Sequence, residues 1–325
     1  MSLVFSAGTV DQMRSFNRKL AWAPRFKISN RVMPFLIQSL LRLSQLAPAV
    51  RLLGQGVRIA RHTAQSDGVQ VPVRLLRTAS PAKAIRAVVL DFHGGGWAIG
   101  NAQMNDRLNA ELVQACDVAV VSVDYRLATA APLAAIMDDS LAAARWLLAG
   151  GLPEVAGLPV FVLGESAGGH LAAATLLQLK TWPALLARIA GAILYYGVYD
   201  LAGTSGVRAA AADTLVLHGP SMAASLRLLT PDLTDDQRRT APLSPLYGDL
   251  AGMPPAILFA GTRDPLMEDT TLMAQQWGAA APVECHVLPE APHGFIRFPV
   301  AMAAQARARV HAWIGERLTA RTPAL

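Results

Sequence analysis

The stretch "PVFVLGESAGGHLAAATLLQ", residues 159–178, decides the fold. Val160 to Leu163 are apolar and suited to a buried strand, and Gly164, Glu165 and Ser166 follow at once. Gly168 and Gly169 then lead into an Ala/Leu-rich segment that reads as helix. Uninterrupted apolar strands, as opposed to alternating ones, belong to sheets covered on both faces. Gly164-Glu165-Ser166-Ala167-Gly168 puts the G-x-S-x-G spacing on a strand-to-helix turn. Glycines two residues either side of a serine relieve the crowding of a strained bend, which would lift the hydroxyl above the sheet edge. Two readings are open from this stretch alone: a serine capping a helix on a tight turn, or a nucleophile.

Working outward, strand and helix alternate from residue 86. "RAVVLDF" reads as strand, 103–116 as helix, "VAVVSVDY" as strand and 132–149 as helix. After the central stretch come "AGAILYYG" and "PAILFAG" as strands, 269–279 as helix, "VECHVL" as strand and 301–318 as helix. This order predicts a mostly parallel sheet with helices on both faces. Upstream, "VRIA" and "VQVPVRLL" flank Ser66-Asp67-Gly68, a hairpin signal. Leu36, Leu40, Leu43 and Leu46 recur at helical intervals within 31–47, an amphipathic helix that needs a surface to cover. Residues 200–240 interrupt the alternation with an Ala-rich, helical-looking insertion. Insertions at the carboxyl ends of such strands shape pockets.

Composition narrows the class. With 53% hydrophobic and 16% charged residues, the 325-residue chain has a large core and is not disordered. No apolar run reaches the ~18 residues that cross a bilayer, and the N-terminus lacks a signal-peptide layout. Cys116 and Cys285 make no disulfide framework and read as buried thiols of a cytoplasmic protein. No Cys/His cluster has metal-ligand spacing, so no metal is expected. The net charge of +6 is uneven: residues 1–65 carry ten cationic side chains against Asp11 alone, leaving about −3 for the rest. That basic segment lacks the aromatic interleaving or groove-reading motif of a nucleic-acid binder. A solvated helical cap and a membrane-surface contact both fit it.

Chemistry concentrates at four places. "DFHGGGWAIG" sets His93, Gly94, Gly95, Gly96 and Trp97 directly after a strand. A loop without side chains can aim backbone N–H groups at an oxyanion, and the phosphate-loop alternative lacks its G-K-[ST]. A nucleophilic serine needs a base, and the base an orienting acid. Asp264 in "FAGTRDPLMED" and His293 in "LPEAPHGFIRF" each follow a strand, giving the order Ser, Asp, His. Glu268 and Asp269 fall in a helix's first turn, where they serve its dipole. His170 and His286 read as packed or solvated, and His93 as a fixer of the glycine loop.

Together, H-G-G-G-W, G-E-S-A-G-G, D-P-L and H-G-F resemble the hormone-sensitive-lipase-like family of α/β-hydrolase carboxylesterases. The likeness extends through "VDYRLA" (123–128) and "SPLYGDLAGMPPAILFAGTRDPL" (244–266), over about residues 85–300. It implies an α/β-hydrolase fold with Ser166 as nucleophile, His293 as general base and Asp264 as its partner. It also implies an oxyanion hole from the glycine loop (Gly94, Gly95 and Gly96, the last two best) and Ala167. Residues 1–55 would form an N-terminal helical cap, and 56–325 the catalytic domain with a cap insertion at about 200–240. Trp97, Tyr196 and Tyr199 are expected to line the pocket.

The sequence departs from the family pattern in three places. Thr129-Ala130 follow Tyr125-Arg126-Leu127-Ala128, Glu165 precedes the serine where Asp is commoner, and Gly197 stands where a proline is usual. The expected activity is cofactor-free hydrolysis of short- to medium-chain carboxylic esters. Another acyl bond (amide, lactone or natural-product ester) stays open, as does a homodimer. A non-catalytic receptor on the same fold would tend to lose a triad member, and all three are present.

Overall fold

The computed structural model describes residues 3–27, 32–45 and 56–321. In chain order the longer elements are α1 (Ala7–Leu20), α2 (Val32–Ser44), β1 (Val57–Ser66), β2 (Val69–Thr78), β3 (Ala87–Phe92), α3 (Asp106–Cys116), β4 (Val118–Val123) and α4 (Leu133–Leu148). Then follow β5 (Val160–Glu165), α5 (Ala167–Leu179), β6 (Ile189–Tyr195), α6 (Met222–Leu229), β7 (Ala256–Gly261), α7 (Met267–Gly278), β8 (Val283–Leu288) and α8 (Ala301–Arg321).

The inner strands are apolar on both sides because both sides are covered. Val88, Leu90 and Phe92 of β3 join one core with residues of α4, α5 and α7, while Ala87 and Val89 join a second with α1, α3 and α8. The eight strands run in the order β1-β2-β4-β3-β5-β6-β7-β8. Strands β4, β3, β5, β6, β7 and β8 are parallel; β1 and β2 are an antiparallel hairpin attached to β4. The hairpin turns on Asp67-Gly68, with φ of 48° and 78°, the double positive φ that a two-residue turn needs. The chain therefore has the α/β-hydrolase architecture expected, with β5 at the centre.

Two expectations shift. The helix read over 103–116 begins only at Asp106, because the Asn101 side chain accepts from the Gln103 amide (3.1 Å) and folds 101–104 into a turn. The helix read over 31–47 forms as α2, with Leu46 outside the described residues, but its apolar stripe faces outward. Leu36, Leu40 and Leu43 are exposed, and Gln38 is buried instead. Gln38 satisfies both backbone groups of Gly100, accepting from its N–H at 2.7 Å and donating to its carbonyl at 2.8 Å. Residues 200–240 fold as α6 flanked by single helical turns at Ser205–Arg208 and Asp235–Arg238.

Candidate active site

All four motifs emerge at the carboxyl ends of parallel strands: the glycine loop after β3, Ser166 after β5, Asp264 after β7 and His293 after β8. Ser166 has φ 54° and ψ −120° between β5 and α5. Backbone of this kind in a non-glycine residue costs about 1–3 kcal/mol and persists only where its surroundings over-determine it. They do so here. A Cβ on Gly164 would stand 2.2 Å from the Gly168 carbonyl oxygen, and one on Gly168 would stand 1.9 Å from that of Phe92. The Ser166 hydroxyl makes no capping bond to the helix, which removes the helix-cap reading. It lies 3.0 Å from His293 Nε2 instead.

His293 Nδ1 is 2.8 Å from Asp264 Oδ2, and the other oxygen of Asp264 accepts from the Leu266 amide at 2.9 Å. Both side chains are buried. The ring edge of Tyr196 meets His293 with centroids 4.7 Å apart. The three residues picked from the sequence thus come together in one hydrogen-bonded line.

The glycine loop is held from several sides. Gly95 and Gly96 have φ of 116° and 58°, and the Gly95 carbonyl accepts from the amides of Ala98 and Ile99, both at 3.1 Å. His93 lies under the loop with Nδ1 2.7 Å from the Gly94 carbonyl oxygen and its ring stacked on Tyr125 at 4.1 Å. The Tyr125 hydroxyl donates to the His93 carbonyl at 2.6 Å. Burial lowers the His93 pKa to about 4, so the ring is a neutral structural piece. Among the described residues, nothing accepts from the amides of Gly95, Gly96 or Ala167. Three free donors beside a serine hydroxyl are what an oxyanion would use.

Glu165, with no role from the sequence, is buried and bound on every side. The Arg297 guanidinium grips both its oxygens, Tyr196 OH donates to Oε2 at 3.0 Å, and the Gly94 amide lies 3.4 Å from Oε1. Burial alone would raise its pKa; the charge and hydrogen bonds of Arg297 outweigh that and hold it below the ordinary value. Arg297 also donates to the Met104 carbonyl at 3.2 Å and to Asn105 Oδ1. Sequence reading missed this arginine, although it stands only four residues after His293.

Glu268 and Asp269 do more than serve a helix dipole: they fasten the insertion. Glu268 accepts from the Ser205 hydroxyl and the Gly206 amide. Asp269 accepts from the amides of Tyr199 and Asp200 and from the Thr204 hydroxyl, the last at 2.6 Å. His170 is buried; its Nε2 faces the Leu243 carbonyl at 2.8 Å and its Nδ1 accepts from Trp97 Nε1 at 3.3 Å. Burial lowers its pKa to about 4.

Two clefts meet at Ser166. One is walled by Trp97, Val198, Leu226 and Leu266 and by His218. The other runs past Ile99, Met104, Tyr196 and Arg297. Phe26 borders both, and its backbone makes an isolated bridge to Leu217 of the insertion. Of the three aromatic residues expected at the pocket, Trp97 borders the first cleft and Tyr196 the second, and Tyr199 borders neither. It lies fully buried in the core, its hydroxyl under Gly169 and Gly197. The third residue after Tyr196 has turned back beneath α5. Among the described residues, no three His, Cys, Asp or Glu side chains could hold a metal ion.

Comparison with known proteins gives a consistent picture. The alpha/beta hydrolase fold family matches residues 89–297. Carboxylesterase NlhH of Mycobacterium tuberculosis is 33% identical over 277 residues, 82% of this chain and 84% of its own. An ethyl acetate hydrolase of Pseudomonas putida is 31% identical over 246 residues, 71% and 73% of the two chains. The solved structure of esterase LipW from Mycobacterium marinum superposes with a TM-score of 0.77 at 28% identity, covering 96% of each chain.

Proposed function

The chain belongs to the alpha/beta hydrolase fold family, among its hormone-sensitive-lipase-like carboxylic ester hydrolases, and from that premise we propose that Ser166, His293 and Asp264 hydrolyse esters through an acyl-enzyme. His293 Nε2 takes the Ser166 proton as Oγ attacks the ester carbonyl. Asp264 fixes the proton on Nδ1 and stabilises the imidazolium that forms. The tetrahedral oxyanion is received by the free amides of Gly95, Gly96 and Ala167. The leaving alcoholate takes the proton back from His293, and a water deprotonated by the same ring then releases the acid. The observation that carries this reading is the continuous line Ser166–His293–Asp264, with contacts of 3.0 and 2.8 Å.

The described parts of residues 1–55 and the 200–240 insertion act as the cap, supported by the pairing of Phe26 with Leu217 at the cleft. The apolar wall of Val198, Leu226 and Leu266 suits short to medium acyl chains, and the relative from P. putida is named for ethyl acetate. Nitrophenyl esters of increasing chain length test the reading. Short esters are expected to be cleaved, and Ser166→Ala to lose at least about 10³-fold in kcat while staying folded. Full activity in that variant would remove Ser166 from the mechanism.

A further inference from the structure

Helix α2 is built inside out. Pro34, Gln38 and Gln45 lie on the side facing the protein, where Gln38 holds Gly100 and Gln45 exchanges hydrogen bonds with Asn101 at 2.7 and 3.0 Å. Leu36, Leu40 and Leu43, at i, i+4 and i+7, form the outward ridge, with 51%, 67% and 66% of their surface exposed. A helix that turns glutamines in and leucines out leaves its apolar face for something other than its own core.

Charge says what that partner is. Between residues 12 and 66 there are ten Lys and Arg and no Asp or Glu. Arg18, Lys19, Lys27 and Arg42 are exposed, and none pairs with a carboxylate among the described residues. Trp22, 91% exposed, stands between them in the chain. Leucines with a tryptophan, surrounded by uncompensated cations, are the composition that seats a segment in the headgroup region of an anionic bilayer. No described helix is long and apolar enough to cross a membrane, so the contact is peripheral.

Position gives the contact a purpose. Phe26 borders both clefts at Ser166, and α2 grips Gly100, next to Ile99 on the wall of the second cleft. Lys27 thus follows a cleft residue in the chain, and the helix that carries the leucine ridge is fastened beside the cleft wall.

We propose that residues 18–27 together with 36–43 form a docking surface for an anionic lipid bilayer, which sets the cleft mouth against the membrane. The inference rests on the esterase reading only for its purpose, which is access to esters dissolved in the lipid. Docking itself involves no catalysis.

The test is co-sedimentation of the full chain with vesicles of phosphatidylcholine alone and with about 30% phosphatidylglycerol added. The expected result is at least tenfold tighter binding to the anionic vesicles, weakened by added salt as screening requires. The triple variant Leu36→Asp, Leu40→Asp, Leu43→Asp and the double variant Lys19→Glu, Lys27→Glu should each lose that preference. Both should keep the circular dichroism spectrum and melting temperature of the wild type, which verifies that they are folded. Wild-type protein that ignores anionic vesicles, or variants that bind as the wild type does, would overturn the proposal. So would light scattering that shows a dimer which the leucine variant dissolves, since the ridge would then belong to a second copy. Loss of soluble-ester hydrolysis in the wild type would strike the esterase reading and leave the docking result standing.

Discussion

Two bends frame Ser166, and both are rich in glycine for different reasons. At 164–168 the glycines supply space: backbone passes so close that a Cβ on Gly168 would overlap the Phe92 carbonyl oxygen at 1.9 Å. At 94–96 they also supply conformation, with φ of 116° at Gly95 and 58° at Gly96. The first bend is locked by contact with its neighbours, the second by torsions and by the supports beneath it. One strains a side chain into place, and the other clears side chains away so that amides can be reached.

The difference can be broken experimentally, with the largest effect at the space-limited bend. Gly168→Ala should cost about 4 kcal/mol or more, because backbone and not a pliable side chain blocks the methyl group. Chemical denaturation of that variant reads it directly, and a loss under about 1 kcal/mol would show that the elbow yields.

Glu165→Gln comes next, since Glu165 joins the two bends. It would leave the Arg297 charge without its carboxylate, a loss of about 3–5 kcal/mol for a buried pair. The sign of its pH dependence follows from the shift. The folded pKa lies below the ordinary carboxylate value, so Glu165 contributes stability above that ordinary value and loses it as pH falls through the folded one. Melting temperatures measured from neutral to acid pH should therefore fall less steeply in Glu165→Gln than in the wild type. A parallel fall in the two proteins would deny Glu165 this role.

The smallest effect belongs to Gly96→Ala. Alanine at φ 58° costs about 1 kcal/mol, and turnover should drop while the fold survives. A kcat loss with little change in KM would locate the effect at the oxyanion donors.

Much of this was legible in the residues. The strands announced themselves because the sheet is covered on both faces, so Val160–Leu163 and Ala87–Leu90 needed no polar side. Asp67-Gly68 fixed the hairpin because so few residues tolerate two positive φ in succession. Ser166, Asp264 and His293 could be picked out because each follows a strand end, and strand ends converge. Arg297 was invisible for the opposite reason: its meaning depends on Glu165, 132 positions earlier, and nothing local to "HGFIRF" demands a carboxylate. Tyr199 was misplaced because proximity in sequence to Tyr196 says nothing about where the chain goes after the strand ends. The spacing of Leu36, Leu40 and Leu43 gave the helix but not its orientation. That depended on Gln38 finding an unpaired peptide at Gly100.

The clamp between Glu165 and Arg297 works as a caliper. One jaw sits immediately before Ser166 and the other four residues after His293, so the gap between serine and histidine is gauged outside the bond that joins them. Under the proposed chemistry that bond vanishes each time the serine is acylated. The gauge does not, and the imidazole waits at its station for water instead of drifting off with the loop that carries it.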